Sequence, residues 1–420
     1  MTPAIEQRVL AEVEDSESQI IDDLKELVRV PSVVGQEGLC QEVVRRKLAA
    51  LGLAVTTFEA DLEEVRRHHA YVTVPWAYRG RPNVVGRLLG SGAGRSLVLN
   101  GHVDVVSPEP TDAWTVDPWG AEERDGRIYG RGALDMKSGL AAIMGAVRAI
   151  RQAGVTLRGD LQVHSVIEEE AGGGGGTLAC LMKGYTADGL IIPEPGGLSV
   201  AHAGVLYFRV RVTGRTAHAG LAHTGVNAIG KMNAIYDALV ELDRRRAAAN
   251  RYELFERSVG RSCHLNIGTY HAGDWPSTVA GWAVMECRVS FVPGERMDDV
   301  RAQVERTVAE AASGNPWLAE HPPSVEWYGW HGEPWTQDER HPLVQTTRGA
   351  VETITGAPVP IYGKAAGMDT RFAMYFNMPA LSYGPWGENS HGLDEWVDRT
   401  SVIRCTKVLA LTALRWCGVA

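Results

Sequence analysis

Residues 96–104 read Ser96-Leu97-Val98-Leu99-Asn100-Gly101-His102-Val103-Asp104. The apolar centre of this stretch is typical of a strand that is buried on both faces of a central sheet. Open α/β sheets bind their ligands beyond the carboxyl ends of such strands. His102 and Asp104 are therefore predicted to lie in a functional site, at the end of a strand in an α/β fold.

Two further apolar strands are followed by acidic residues. Leu161–Ile167 leads into the triplet Glu168–Glu170, and Gly189–Ile192 leads into Glu194. Because the carboxyl ends of parallel strands meet at one edge of a sheet, we expect these side chains to lie near His102. The sequence thus predicts a cluster of carboxylates and an imidazole at that edge.

Two loop residues complete the predicted cluster. Asp135 lies in Gly130-Arg131-Gly132-Ala133-Leu134-Asp135-Met136-Lys137, directly before a predicted helix over 138–151. His391 lies in a loop after the predicted strand Ala380–Tyr383. Asp135 could instead cap the helix, and most single loop histidines have no function, so both assignments depend on the other segments.

Carboxylates and imidazoles in this combination predict a site for two divalent metal ions. The predicted ligands are His102, Asp135, Glu170, Glu194 and His391. Two such ions activate a water and polarise a carbonyl, which is hydrolytic chemistry at neutral pH. Oxygen and nitrogen ligands suit zinc, which we expect first, and also manganese or cobalt. The chain is therefore predicted to be a metallohydrolase.

The neighbours of two ligands have predicted roles of their own. In extended backbone the side chains of His102 and Asp104 point the same way, so the Asp104 carboxylate can accept the second ring N–H of a metal-bound imidazole. Alternation also separates Glu169 from Glu170, so that one can bind a metal while Glu169 acts as general base. The competing interpretations are a surface His-x-Asp pair and a solvated acidic turn.

Composition and charge argue against several classes of function. The chain has 420 residues, of which 45% are hydrophobic, and a net charge of −9, whereas a nucleic-acid-binding protein carries a basic surface. The apolar run Gly139–Val147 is too short to span a membrane, so no membrane association is expected. No two of the six cysteines form a Cys-x-x-Cys pair, and Met1–Arg29 predicts an acidic amphipathic helix rather than a signal peptide. These features predict a cytoplasmic enzyme.

The secondary-structure pattern changes after about residue 200. Before that point strands and helices alternate, and the same pattern resumes near Pro342. Between them, a strand, a helix, two strands and a helix predict a compact α+β insert. The sequence therefore predicts an α/β catalytic domain over residues 1–202 and 331–420, with a central, mostly parallel sheet flanked by helices. Residues 203–330 are predicted to form the smaller inserted domain.

These motifs together resemble the acetylornithine deacetylase, succinyl-diaminopimelate desuccinylase and aminoacylase family of metallopeptidases. The resemblance covers nearly the whole chain and is clearest in Gly101–Val106, Asp125–Gly139 and Gly384–Val397. It implies an amidohydrolase with two metal ions. It also implies a non-proline cis peptide bond between Asp135 and Met136.

The resemblance divides the ligands between the two ions. It implies that one ion is held by His102, Asp135 and Glu194, and the other by Asp135, Glu170 and His391. Asp104 would then orient His102 from behind, and Glu169 would be the general base.

The resemblance further implies that residues 203–330 form a lid through which the chain makes a homodimer. His218, in Gly214-Arg215-Thr216-Ala217-His218, would reach the active site of the partner subunit and stabilise the oxyanion. Arg288 and Arg371 would bind the substrate carboxylate. The alternatives are an exposed histidine at a strand end and two ordinary ion pairs. The lid departs from the family's Asn-Val-Ile-Pro, since it has Ser277-Thr278-Val279-Ala280.

The predicted function is hydrolysis of a linear C–N bond in a small carboxylate substrate, such as an N-acyl amino acid or a dipeptide. The altered lid segment and the twelve tryptophans leave a second enzyme open, an aminohydrolase that releases ammonia from an aromatic carboxylate. The tryptophans in the lid and near site segments, which would form lid core or line a pocket, are Trp275, Trp282, Trp327, Trp330, Trp335 and Trp386. Outside enzymes, the alternative is a catalytically silent protein that binds or scaffolds.

Overall fold

The computed structural model describes residues 3–420, which form an α/β protein, as the sequence predicts; the large sheet is mixed, with parallel strands at its centre. The α-helices are α1 (Pro3–Asp15), α2 (Glu17–Val28), α3 (Gly38–Ala50), α4 (Leu62–Val65), α5 (Lys137–Gln152), α6 (Ala179–Met182), α7 (Ala228–Ala249), α8 (Glu253–Val259), α9 (Met297–Ser313), α10 (Pro316–Glu320), α11 (Pro342–Thr355) and α12 (Arg399–Cys417). Within this part of the chain, no helix is long and apolar enough to cross a membrane.

The strands form one large mixed sheet and two antiparallel sheets. They are β1 (Ala54–Phe58), β2 (Asn83–Leu88), β3 (Leu97–His102), β4 (Glu123–Arg124), β5 (Arg127–Tyr129), β6 (Leu161–Val166), β7 (Leu190–Ile192), β8 (Ser199–His202), β9 (Gly204–Thr213), β10 (Leu265–Ala272), β11 (Trp282–Phe291), β12 (Ser324–Gly332), β13 (Trp335–Thr336), β14 (Tyr362–Lys364), β15 (Ala380–Ser382), β16 (Gly387–Glu388) and β17 (Trp396–Asp398).

The chain divides into two compact units. The first runs up to Val200 and resumes with Gln337–Tyr362 and Met368–Ala420, and the second comprises Ala201–Thr336 and Gly363–Gly367. The sequence places the inserted domain at residues 203–330, so the second unit begins two residues earlier, ends at Thr336 and also includes Gly363–Gly367.

The large sheet of the first unit is parallel at its centre. Its strands follow the order β1-β2-β6-β3-β7-β15-β8. The four strands from β6 to β15 pair in parallel, whereas the pairs on either side are antiparallel. Because parallel neighbours run the same way, the carboxyl ends of β6, β3, β7 and β15 lie at one edge, where the sequence predicts the site.

Helix α5 anchors the helical layer of this unit. It packs against α12, α2 and α1, and most of its residues are buried. Small and apolar side chains on all its faces suit a helix that is surrounded by protein. Its first residue is Lys137, so α5 begins two residues after the predicted ligand Asp135.

The N-terminal segment forms two helices where the sequence predicts one over Met1–Arg29. Helix α1 ends at Asp15 and α2 begins at Glu17, while Met1 and Thr2 lie outside the described residues. Between them, the Ser16 hydroxyl donates a hydrogen bond to Oε1 of Gln152 at 3.1 Å. The break therefore occurs where the segment meets the end of α5.

The second unit is an antiparallel sheet with helices packed on one face. Its strands follow the order β10-β11-β9-β12, and α7 and α9 contribute to the core. Burial alternates along β9 from Leu206 onward, as expected of a strand with one face in a core. The fully buried core side chains include Phe208, Met232, Met285 and Val304.

Candidate metal centre

Parallel pairing brings the predicted ligands to one edge of the large sheet. His102 ends β3 and pairs with Val166 at the end of β6, just before the glutamate triplet. Leu99 of β3 pairs with Ile191 of β7, which leads into Glu194. Hydrogen bonding between strands thus brings together residues far apart in the sequence.

The two oxygens of Asp135 face two different imidazoles. Oδ1 lies 3.4 Å from Nε2 of His102, and Oδ2 lies 3.4 Å from Nε2 of His391. Glu194 Oε1 lies 3.3 Å from the same nitrogen of His102, and Glu170 Oε2 lies 3.0 Å from Nε2 of His391. The five predicted ligands therefore form two groups that share Asp135.

Glu169 lies on the His102 side of this cluster. Its Oε2 is 4.0 Å from Nε2 of His102. Potential ligand atoms of His102, Glu169 and Glu194 all lie within 4.8 Å of one another, and the same holds for His102, Asp135 and Glu170. Distance alone does not separate the predicted base Glu169 from the predicted ligands.

Several buried atoms of the cluster have no hydrogen-bond partner among the described residues. They are Nε2 of His102, Oδ1 of Asp104, Oε1 of Glu170 and Oε1 of Glu194. Leaving such a group unsatisfied costs about 1–3 kcal/mol, and more when it is charged. Imidazole nitrogen and carboxylate oxygen are ligands that zinc, manganese and cobalt accept, so this set of residues fits a pair of divalent cations.

Burial and neighbouring charges shift the pKa values of the cluster. Burial raises the pKa of the Glu169 carboxyl well above its usual range, and the nearby Glu194 raises it further. Burial would also raise the pKa of Asp135, but the neighbouring imidazoles of His102 and His391 hold it well below its usual range. The Asp135 carboxylate, 3.4 Å away, raises the pKa of His391 to about 11. The carboxylates thus favour positive charge on the imidazoles, and a metal ion would compete with protons for the same ligand atoms.

Asp104 contacts His102 through a different atom from the one predicted. Nδ1 of His102 lies 2.8 Å from the backbone carbonyl oxygen of Asp104 and 3.7 Å from its carboxylate. The carboxylate instead accepts a hydrogen bond from the backbone N–H of Glu170 at 3.1 Å. A carbonyl can fix the imidazole tautomer as a carboxylate does, so Asp104 connects His102 with Glu170.

The argument from strand alternation requires an extended glutamate triplet, but the triplet is not extended. Glu168 is left-handed, with φ 71° and ψ 15°, and Glu169–Ala171 forms a 3-10 turn. This turn, and not strand alternation, separates Glu169 from Glu170.

The loop that carries Asp135 is held by a carboxylate that the sequence does not reveal. Glu395 accepts hydrogen bonds from the backbone N–H groups of Gly132, Leu134 and Asp135 and from Nη1 of Arg131 at 2.6 Å. The peptide bond between Asp135 and Met136 is cis, as predicted. Glu395 stands in an irregular polar loop with no periodicity, so no local pattern marks it. It acquires this role because folding brings it next to Asp135, which lies 260 residues earlier in the chain.

Arg371 lies in the first unit, close to the glutamate triplet. Its side chain is buried, and Nη2 donates a hydrogen bond to the carbonyl oxygen of Gly172 at 2.6 Å. Asp369 in the same turn is also buried, and burial raises its pKa to about 6. A Cβ placed on Gly173 would lie 2.1 Å from Oδ1 of Asp369, so only glycine allows this close approach.

His218 and Arg288 lie in the second unit. His218 is exposed, and its Nδ1 accepts a hydrogen bond from the backbone N–H of Gly220 at 3.0 Å. Arg288 is half-buried on β11, between Tyr207 and Asn266 of the neighbouring strands, and burial lowers its pKa. Among the described residues, no carboxylate lies within 4.0 Å of Arg288. The alternative that Arg288 forms an ordinary ion pair is therefore not supported.

The tryptophans singled out in the sequence do not share one environment. Trp335 is buried and stacks on His202, and Trp327 packs against Phe208 of the core. The side chains of Trp275 and Trp386 are exposed. Because some of these tryptophans are buried and others are exposed, the number of tryptophans alone does not predict an aromatic pocket.

Comparison with known proteins identifies similar chains over most of this length. The family model described as peptidase family M20/M25/M40 matches residues 98–415. The chain is 30% identical over 363 residues to N-formyl-4-amino-5-aminomethyl-2-methylpyrimidine deformylase of Bacillus subtilis, covering 81% of this chain and 84% of that protein. It is 27% identical over 402 residues to succinyl-diaminopimelate desuccinylase of Variovorax paradoxus, covering 91% of this chain and 94% of that protein. Its fold is similar to that of human carnosine dipeptidase 1, with a TM-score of 0.77 and 18% identity. The similarity covers 99% of this chain and 100% of that one.

Proposed function

The chain belongs to the peptidase family M20/M25/M40, and from this premise we propose that it hydrolyses the amide bond of a small N-acyl compound with Glu169 as general base. Family membership makes it a hydrolase of C–N amide bonds. The observation that carries the proposal is the position of Asp135, whose two oxygens each face a different imidazole at 3.4 Å.

The proposed ligands follow the two groups that share Asp135. His102, Asp135 and Glu194 would hold one divalent cation, and Asp135, Glu170 and His391 the other. We propose zinc first, with manganese or cobalt as alternatives, because the ligand atoms are oxygen and nitrogen. When bound, two such cations supply an activated water and a polarised amide carbonyl.

Glu169 would carry the proton through the reaction. Its carboxylate takes a proton from the attacking water while the water oxygen bonds to the carbonyl carbon. When the C–N bond breaks, Glu169 returns that proton to the nitrogen, so the products are a carboxylic acid and an amine. Its burial favours this role, since a carboxylate in a less polar environment is a stronger base.

The substrate is proposed to be an N-formyl or N-succinyl type of amide. The names of the two relatives describe removal of such acyl groups, one from an aminomethyl pyrimidine and one from an amino acid. Arg371 and Arg288 are proposed to bind the substrate, and the lack of a carboxylate near Arg288 supports its part. Dipeptides remain candidate substrates, because their peptide bond is also a linear amide.

We also propose that the chain forms a homodimer through residues 203–330, with His218 stabilising the oxyanion in the partner subunit. The exposed His218 and the exposed apolar side chains Ile229 and Tyr236 on α7 support a contact surface in this unit. Sedimentation velocity and a His218→Ala variant test it: a monomer with full turnover would contradict it. A cytoplasmic location is proposed from the six cysteines, all of which are free and buried.

The test of the proposed function is a Glu169→Gln variant assayed on a substrate panel. We expect kcat to fall by about 10²–10⁴-fold while metal content stays at the wild-type level, because a general base is lost and the proposed ligands remain. Glu63→Gln, at an exposed glutamate, is the matched control. Wild-type turnover by a Glu169→Gln variant with normal metal content would refute the role of Glu169.

The panel contains N-formyl aminomethyl pyrimidines, N-succinyl and N-acetyl amino acids, dipeptides and aromatic aminocarboxylates. Acid or amine release from the first four groups supports the amidohydrolase. Ammonia release from the last group alone would instead support an aminohydrolase. No turnover and less than one metal equivalent would favour a silent binding protein.

A further inference from the structure

Glu168 has no part in the proposed hydrolysis, yet it is the most deeply buried residue of the triplet. Its exposed fraction is 0%, compared with 9% for Glu169. Its backbone is left-handed, with φ 71°. For a residue with a side chain this conformation costs about 1–2 kcal/mol, so the surroundings must hold it in place.

The two carboxylate oxygens of Glu168 have different surroundings, since Oε1 accepts hydrogen bonds and Oε2 has no hydrogen-bond partner among the described residues. Oε1 accepts hydrogen bonds from the Tyr78 hydroxyl at 3.2 Å and from the backbone N–H of Gly175 at 3.0 Å. Oε2 lies 3.5 Å from Nη2 of Arg81, which places a positive charge beside it. Two hydrogen bonds therefore hold one oxygen of the carboxylate, and the positive charge of Arg81 lies beside the other.

Arg81 is itself held in a fixed orientation. Its Nε and Nη2 donate to the two oxygens of Glu37 at 2.6 and 2.7 Å. Arg81 and Glu37 are both buried, and bidentate arginine–carboxylate pairs have a restricted geometry. The position of Arg81 beside Glu168 is thus set by α3, which begins directly after Glu37.

The glycine run after the triplet allows Tyr78 to reach Glu168. A Cβ on Gly175 would lie 2.1 Å from Cε1 of Tyr78, closer than a side chain permits. The glycines from Gly173 to Gly176 are buried. This segment is packed against an aromatic side chain, which is not what a flexible turn would show.

The left-handed turn sends the next two glutamates in different directions. Glu169 reaches the His102 side of the cluster, at 4.0 Å, and Glu170 reaches His391, at 3.0 Å. In addition, the backbone carbonyl of Glu168 accepts hydrogen bonds from the N–H groups of Ala171 at 3.2 Å and Gly173 at 2.6 Å, which closes the turn. The side chain and backbone of Glu168 therefore both stabilise the turn.

We propose that Glu168 is a positioning residue, whose buried carboxylate, held by Tyr78, Gly175 and Arg81, keeps Glu169 and Glu170 apart in their separate roles. The proposal rests on the proposed function for the roles of Glu169 as base and Glu170 as ligand. Among the described residues, Glu168 makes no hydrogen bond or ion pair with the five proposed metal ligands, so in this proposal it acts through its two neighbours.

The test compares Glu168→Gln and Glu168→Gly with Glu63→Gln as the matched control. Glu168→Gln keeps the size of the side chain and removes its charge. Glu168→Gly removes the carboxylate but accepts the left-handed backbone more easily than glutamate does. We expect kcat to fall about 10–100-fold in both, since loss of a supporting contact behind a metal ligand has that effect.

Three further measurements separate positioning from stability. KM should stay within about twofold of the control, because the substrate contacts remain. Titration of the purified protein with Co²⁺ or Zn²⁺ should show weaker binding of one of two ions, because Glu170 is displaced. The thermal midpoint of Glu168→Gln should lie closer to that of Glu63→Gln than the midpoint of Glu168→Gly does, since glutamine still accepts hydrogen bonds from Tyr78 and Gly175 and Arg81 keeps its pair with Glu37.

Several outcomes would overturn the proposal. One is a Glu168→Gly variant with the kcat of the control, and another is a variant that loses stability while each folded molecule keeps wild-type kcat and metal binding. If neither Glu168 variant folds, Tyr78→Phe decides, because it removes one donor to the carboxylate: a lowered kcat supports the proposal and an unchanged kcat overturns it. Active Glu168 variants beside an inactive Glu169→Gln refute this proposal alone, whereas an active Glu169→Gln refutes the proposed function.

Discussion

Glu168 and Glu170 are two residues apart, and their carboxylates have opposite surroundings. Glu168 lies 3.5 Å from Arg81, a cation that the chain itself supplies. Glu170 and Asp135 have imidazoles beside them, and within the described part of the chain no lysine or arginine lies within 4.0 Å of either. A buried carboxylate needs a compensating charge. Glu168, beside the permanent cation Arg81, therefore has a structural role. Glu170 and Asp135, which have only titratable imidazoles beside them, are suited to binding an external cation.

The first way to test this comparison is to remove the internal cation. Arg81→Met leaves Glu37 and Glu168 buried without their partner, and such a loss typically destabilises a protein by about 3–5 kcal/mol. We expect that decrease in the free energy of unfolding, measured by urea denaturation. Arg66→Met, at an exposed ion pair with Glu63, is the control and should change stability far less. Equal stability of the two variants would show that Arg81 does not compensate Glu168.

The second test removes the carboxylate that the two ligand groups share. Asp135→Asn should lower kcat by at least about 100-fold, because loss of a residue that merely supports a ligand already costs about 10–100-fold. Bound metal, measured by elemental analysis, should fall from two equivalents to one or fewer. Asp112→Asn, at an exposed aspartate, should leave both values unchanged. Two tightly bound equivalents in Asp135→Asn would mean that Asp135 is not shared.

The smallest expected effect is the response of stability to chelation. An ion present at ten times its Kd stabilises the folded protein by about 1.4 kcal/mol, so removing it should lower the thermal midpoint. The wild-type protein should respond to a chelator and recover with Zn²⁺ or Mn²⁺, whereas Asp135→Asn should respond less. Glu168→Gln, which we expect to bind one of the two ions more weakly, should respond less than the wild type and more than Asp135→Asn. An identical response of wild type and Asp135→Asn would place the ions elsewhere.

Residues at the ends of buried strands could be predicted because their signal is local. His102 follows an uninterrupted apolar run, and Glu170 and Glu194 follow two more, so strand pairing places them at one edge. Asp135 and His391 depended on their loops and on the family resemblance, and the structure brings both into the cluster.

Residues that support the site could not be predicted because their partners are distant. Glu395 contacts a loop 260 residues away, and Arg81 contacts Glu37 and Glu168 from an irregular segment. Neither has a period or a motif that distinguishes it from a solvent-exposed charge. Only burial, which results from the whole fold, gives these charges a role.

The sequence by itself determined the α/β class, the strand ends at which the ligand types stand, and the chemistry that carboxylates and imidazoles allow. Tertiary structure decided that the carbonyl of Asp104 contacts His102, that a left-handed Glu168 separates its two neighbours, and which carboxylates receive a cation from the chain. The physical reason is range. Side-chain type and strand alternation follow from the local covalent chain, whereas the charge beside a buried carboxylate depends on which distant segments pack against it.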